Sequence, residues 1–246
     1  MKKELEHFYI GNSYGGNQDW FRTFMMRLGG CGAETACDSS IYFAMHKGIK
    51  GIYPFDISNL SKFDYIEFAH IMEKYLWPRM SGIDKPEIYM EGYGKYLRDR
   101  GISGLSMDVL SGDEPYDKAV ETVRAQIDAG YPVPTLILNH RDREYRDYVW
   151  HWFLINGYRV DALKESLNDP LDDQLTDPLN SSDIAKDKPD ADSTADSNGT
   201  ISKSTMQVKT VTYSGYRWLD FERLWDTGYS NKGGLILYNL EQSDPV

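Results

Sequence analysis

The stretch Arg27–Phe43, RLGGCGAETACDSSIYF, constrains the fold more than any other part of the chain. Gly29 and Gly30 allow a tight or left-handed turn. Behind them Ala33, Cys37, Ile41 and Ala44 recur at helical spacing, and Ala36, Ser40 and Phe43 widen the stripe. A buried helix is therefore expected, with Cys31 in its first turn, on the rim of the stripe. A helix N-terminus carries partial positive charge and unpaired N–H groups. Both favour thiolate, the reactive form of cysteine, and the same N–H groups can donate to a developing oxyanion. Cys37 lies on the apolar stripe and reads as core. Six residues along a helix mean about 9 Å of rise and about 240° of rotation, outside bridging geometry, so both thiols are expected to be free.

The second constraint is the run VWHWFLINGY, apolar on both faces as a fully buried strand would be, with His151 near its start. It follows an amphipathic helix over 114–129, then Gly130, the short strand YPVPTLIL and the polar turn NHRDREYRD. Before these, FYIGNSYGGNQDW reads as a short strand and a Gly/Asn-rich loop that leads straight into the cysteine helix. It lacks the lysine of a P-loop and the spacing of a dinucleotide fingerprint. Helices are expected over 62–77, capped by Asn59 or Ser61, and over 86–99. His46 and His70 have no second ligand at i+4 and read as structural, so no metal or cofactor is expected. Towards the end, QVKTVTYSGYRW reads as one strand, LDFERLWDTG as a short helix or turn, and GGLILYNL as a final strand. The fold class is α+β, a helix-rich first half against a sheet-rich second half.

Charge is unevenly spread. The net charge is −11, yet residues 161–200 hold eleven acids against three bases, so the rest of the chain is nearly neutral. No basic stripe marks a nucleic-acid surface. Residues 160–205 read as an acidic, flexible insertion into a single domain spanning 1–246, and as a surface open to a protein partner. Its acids lack the ligand order of a calcium loop. The start, MKKELEHFYIG, has no apolar h-region, no run reaches membrane-spanning length, and two unpaired thiols fit a reducing compartment. A cytoplasmic protein with no membrane contact is expected.

An early cysteine at a helix start and a late histidine on a strand is the layout of a papain-like thiol hydrolase. Four blocks carry a closer likeness: Cys31-Gly32-Ala33 followed by Tyr42; Gly130-Tyr131-Pro132-Val133 at a helix end before a strand; His151 followed by apolar residues and Gly157-Tyr158; and the aromatic spacing Trp218, Phe221, Trp225. In that order they resemble the bacterial peptidases that process double-glycine leader peptides, and their broader group of papain-fold relatives of unassigned function. The likeness covers most of the chain except 45–113 and the insertion.

The resemblance implies a papain-like fold, with an N-terminal helical part and a C-terminal antiparallel sheet. It implies Cys31 as nucleophile and His151 as base, acting on a peptide or small amide. The residue that orients the histidine is then Asp169, followed by Pro170, or, if Val208–Tyr213 is the next strand, Ser214. The oxyanion glutamine of the group falls near Met25 here; the nearest Gln is Gln18, thirteen residues before the cysteine. Ala33 replaces a proline common in the group. These departures keep two other readings open: a catalytically inactive papain-fold binding module, and acyl transfer by the same cysteine.

Overall fold

The structure is a computed structural model and describes residues 1–79, 82–160 and 205–241, which belong to one folded unit. Apart from its ends the acidic stretch 160–205, with Asp169, lies outside the described residues.

Four helices precede the main sheet strands: α1 (Phe24–Gly29), α2 (Cys31–His46), α3 (Lys62–Met72) and α4 (Pro86–Asp99). Helix α2 runs where its stripe predicts, and Ala33, Ala36, Cys37, Ser40, Ile41 and Phe43 are all fully buried. Helix α3 starts at the expected cap: the Ser61 side chain accepts from the Asp64 N–H. It ends at Met72, short of residue 77. Helix α4 spans 86–99 as expected, with Pro86 at its first position, where a missing N–H costs nothing. Helix α1 is not anticipated by the sequence reading; six residues carry too little periodicity to register.

The sheet is antiparallel throughout. Its strands are β4 (Leu105–Ser111), β5 (Val133–Ile137), β6 (His151–Val160), β7 (Met206–Thr212), β8 (Gly215–Asp220) and β9 (Gly234–Leu240). The order is β4-β9-β5-β6-β7-β8. Strand β6 is the long central one. β5 pairs with residues 151–155 of it and β1 (Lys2–Glu4) with residues 157–159, while β7 covers 154–160. A small hairpin of β2 (Tyr9–Ile10) and β3 (Ser13–Tyr14) stands apart. Helix α5 (Tyr116–Asp128) links β4 to β5, and the short α6 (Phe221–Trp225) follows β8.

Two expectations change. The segment 207–218 is not one strand but a hairpin, β7 and β8 turning at Tyr213–Ser214. Both turn residues have positive φ, 47° and 66°, the backbone of a type I′ hairpin, which normally selects Asn-Gly. Tyr-Ser hides that turn from a sequence reading. Strand β4 was missed because Leu105–Ser111 mixes buried and exposed positions at the sheet edge.

Trp152 faces α2: a Cβ on Gly32 would lie 3.5 Å from its ring, which stacks on Tyr89 of α4. Phe153 packs against Tyr148, and His151 Nε2 is bonded to Thr212 Oγ1. The core between sheet and helices is rich in tyrosine; Tyr65, Tyr89, Tyr93, Tyr96 and Tyr238 are all essentially inaccessible.

Candidate functional site

Cys31 is the first residue of α2, and Gly30 caps that helix without a side-chain bond. The first-turn N–H groups are thus left to whatever approaches. Gly30 has φ −85°, so it is not there for a left-handed turn. Close packing explains it: a Cβ would stand 2.3 Å from the Met26 carbonyl oxygen and 2.9 Å from the Phe21 ring. The α1–α2 junction folds too tightly there for any side chain, and that compression sets the position of Cys31.

His151 opens β6, so the sheet and the helix start converge at one point. The backbone amide of Trp152, the residue next to the histidine, faces the Cys31 sulfur, as do the amides of Gly32 and of Cys31 itself. The chain thus brings positions 31 and 151–152 together across 120 residues of sequence. Among the described residues the imidazole makes no hydrogen bond to the sulfur. Its Nε2 is 2.7 Å from Thr212 Oγ1, and its ring lies flat on Tyr213, with centroids 4.7 Å apart.

The electrostatics depart from the expected activated thiolate. Burial pushes the Cys31 thiol up to about 11, with Glu34 adding to the shift, and the facing amides only partly offset this. Burial alone pulls His151 down to about 4. At neutral pH the pair is therefore thiol and neutral imidazole. The helix N-terminus is worth about 1 kcal/mol or less near a surface, and here desolvation outweighs it. Cys37 is fully buried and also raised by burial, as its core reading requires, and both thiols are free.

The remaining expected residues land unevenly. Ser214 is not the partner of His151. It sits in the β7–β8 turn, where its Oγ accepts from Asn17 Nδ2 at 3.0 Å. The group that meets the imidazole is the hydroxyl of Thr212, two residues earlier, because Thr212 is the last residue still on the strand and on the face of His151. Gln18 is buried against the start of α2. Its Nε2 donates to the Arg27 carbonyl at 3.1 Å, its backbone N–H donates to Glu34 Oε2 at 3.1 Å, and its Oε1 is buried without a partner. Helix α1 takes up the chain between Gln18 and Cys31, so thirteen residues of separation still leave the two segments adjacent.

Sequence reading missed the carboxylates on α2. Glu34 and Asp38 are each only 4% exposed. Asp38 accepts from the Gly16 N–H and from Tyr65 Oη at 2.8 Å, with His7 Nε2 at 3.8 Å. Gly16 is obligatory here, since a Cβ would fall 1.8 Å from Tyr65 Oη. The available signal was the 3.6-residue stripe itself: Glu34 and Asp38 stand four apart, flanked by Ala33 and Cys37, inside the apolar arc.

Three non-glycine residues among those described have positive φ: Trp150, Tyr213 and Ser214. Trp150 immediately precedes His151, and Tyr213 stacks on it. Bulky residues rarely adopt this backbone, and such outliers concentrate at functional sites. Both aromatics are partly exposed and each borders a cleft. One, of about 420 Å³, runs past Leu28, Gly29, Pro78 and Trp150. The other, of about 380 Å³, runs past Tyr148, Thr212, Tyr213 and Tyr216. Neither is lined by Cys31 or by His151; each reaches only the aromatic residue next to or stacked on the histidine.

No protein-family model matches the chain, and no curated protein matches it. No helix among the described residues is long and apolar enough to cross a membrane.

Proposed function

We propose that this chain is a cytoplasmic thiol hydrolase of papain-like fold that cleaves a peptide or small amide bond. One observation carries the reading: the amide that follows His151 faces the sulfur of a cysteine at a helix N-terminus. In this reading Nε2–H of His151 donates to Thr212, which leaves Nδ1 as the lone pair that takes the thiol proton. Sulfur attacks the carbonyl carbon as that proton leaves. The C–N bond then breaks, and the amine departs with the proton from Nδ1. Water, deprotonated by Nδ1, cleaves the thioester and regenerates thiol and imidazole. The first-turn amides and Gln18 Nε2 supply the donors for the oxyanion. Because the resting pair is neutral, the imidazole acts as a general base at the moment of attack.

The inactive binding module remains the second reading, favoured by the burial of the thiol and by a hydroxyl, not a carboxylate, on the imidazole. A panel of fluorogenic peptide amides, with acyl-enzyme trapping followed by mass, separates the two. Hydrolysis with a Cys31-linked acyl adduct, both lost in Cys31→Ala, is expected. Turnover unchanged in Cys31→Ala, or binding without any adduct, contradicts the hydrolase.

A further inference from the structure

Glu34 is placed where a helix interior would ordinarily carry an apolar residue. Its carboxyl accepts the Gln18 N–H at 3.1 Å and is faced by the backbone N–H of Tyr213. Gln18 lies on the loop before α1, and Tyr213 lies on the β7–β8 turn. Those two segments are also bonded to each other. The Tyr14 N–H donates to the Ser214 carbonyl, the Ser214 N–H to the Gly16 carbonyl, and Asn17 Nδ2 to Ser214 Oγ. The turn is the one with two residues of positive φ, and its Tyr213 ring lies on His151.

We propose that Glu34 is a positioning residue. Its single buried carboxyl clamps the Gln18 loop and the Tyr213 turn onto the first turns of the cysteine helix, and so fixes the ring that covers His151. The proposal rests on the hydrolase reading for its purpose, though not for its geometry. A carboxyl suits the task because its oxygens can accept from two N–H donors that approach from different segments. An apolar side chain there would leave the buried Gln18 amide without an acceptor.

The charge on the clamp matters to the thiol. The titratable groups around Glu34 are Asp38 and Cys31 on its own helix, Asp19 beside Gln18, Tyr213 on the turn and Tyr65 on α3. Burial, and then the Asp38 carboxylate, hold Glu34 well above the usual carboxylate range. A protonated Glu34 still accepts an N–H and does not repel sulfur. Once ionised, it opposes a thiolate at Cys31.

The test uses the full chain and two readouts. Hydrogen exchange at the Gln18 and Tyr213 amides reports the clamp. The pH–rate profile of Cys31 alkylation by iodoacetamide, followed by peptide mass, reports its effect on the thiol. In Glu34→Ala both amides should exchange about tenfold faster or more. Glu34→Gln keeps one accepting oxygen, so at least one of the two amides should stay slow. Its alkylation profile should shift to lower pH, roughly threefold to tenfold faster above neutrality, because no charge forms beside the sulfur. Unchanged exchange in Glu34→Ala, or Glu34→Gln as damaging as Glu34→Ala, overturns the proposal. If Glu34→Ala does not fold, Glu34→Gln decides alone, and fast exchange at both amides in that variant overturns it. Equally slow labelling of Cys31 and Cys37 in the unaltered chain would overturn the hydrolase reading instead, and the exchange data would still decide the clamp.

Discussion

Helix α2 has two ends that handle buried polarity differently. Its second half lies in the tyrosine core, where the polar groups close on one another: Ser40 Oγ meets Tyr93 Oη at 2.8 Å, Tyr89 Oη meets Tyr238 Oη at 3.3 Å, and Tyr96 Oη donates to the Ile52 carbonyl at 2.6 Å. These groups are neutral and hydrogen-bonded; Tyr238 meets Phe43 edge to face, and the Tyr93 and Tyr96 rings stack. Its first half holds both thiols and two carboxyl groups, with His7 and Gln18 beside them carrying buried atoms that lack partners. Buried polar groups are costly unless satisfied. Unsatisfied buried atoms occur at both ends, His46 Nε2 and Tyr53 Oη among them; what sets apart the half that meets His151 is its buried pair of carboxyl groups, Glu34 and Asp38. The proposed chemistry sits at the end with the buried carboxyl groups, and the closed tyrosine bonds sit at the other.

That contrast can be broken at either end. The largest expected effect is in the core: Phe68→Ala should cost about 3–5 kcal/mol in urea unfolding, while Cys31 labelling in the folded protein stays unchanged. A parallel loss of thiol reactivity would show that the two ends are not separable. Next is pH. His151 has its folded value at about 4, below the unfolded 6.5. The unfolded chain therefore binds the extra proton between those values, and stability from the neutral ring is lost as pH falls from 6.5 to 4. The loss amounts to about 3 kcal/mol. Glu34, held above its unfolded value, tilts stability the opposite way over this range. The difference between the unaltered chain and His151→Phe isolates the histidine, and parallel curves for the two would contradict the buried neutral ring.

Smaller effects sharpen the picture. Thr212→Val removes the partner of His151 Nε2 and should cost about 1–3 kcal/mol together with slower Cys31 alkylation; loss of stability alone would mark Thr212 as structural. Tyr93→Phe breaks one closed bond in the core while Ser40 still donates to Ala36. It should cost about 1 kcal/mol and leave the thiol untouched.

What the sequence disclosed follows the same division. The stripe of α2, the amphipathic α5 and the apolar β6 are legible because burial imposes a period, and the α+β class follows from them. The approach of the Trp152 amide to Cys31 agrees with an expectation that came from a likeness of layout, not from any spacing. The rest depends on contacts that no spacing encodes. Glu34 and Asp38 sit in the apolar arc only because Gly16, Gln18 and Tyr65 supply donors from elsewhere in the chain. Thr212, not Ser214, reaches the imidazole because a Tyr-Ser pair makes a turn that its composition conceals. The depressed thiol pKa expected of a helix start gives way to desolvation, which cannot be judged before packing is known.

The most direct measurement is the rate of iodoacetamide labelling at Cys31 against Cys37 across pH 6–10, in the unaltered chain and in His151→Ala. A general-base pair predicts Cys31 labelled well ahead of the fully buried Cys37, with that lead lost in His151→Ala. Equal, slow labelling of both thiols, indifferent to His151, would contradict the account.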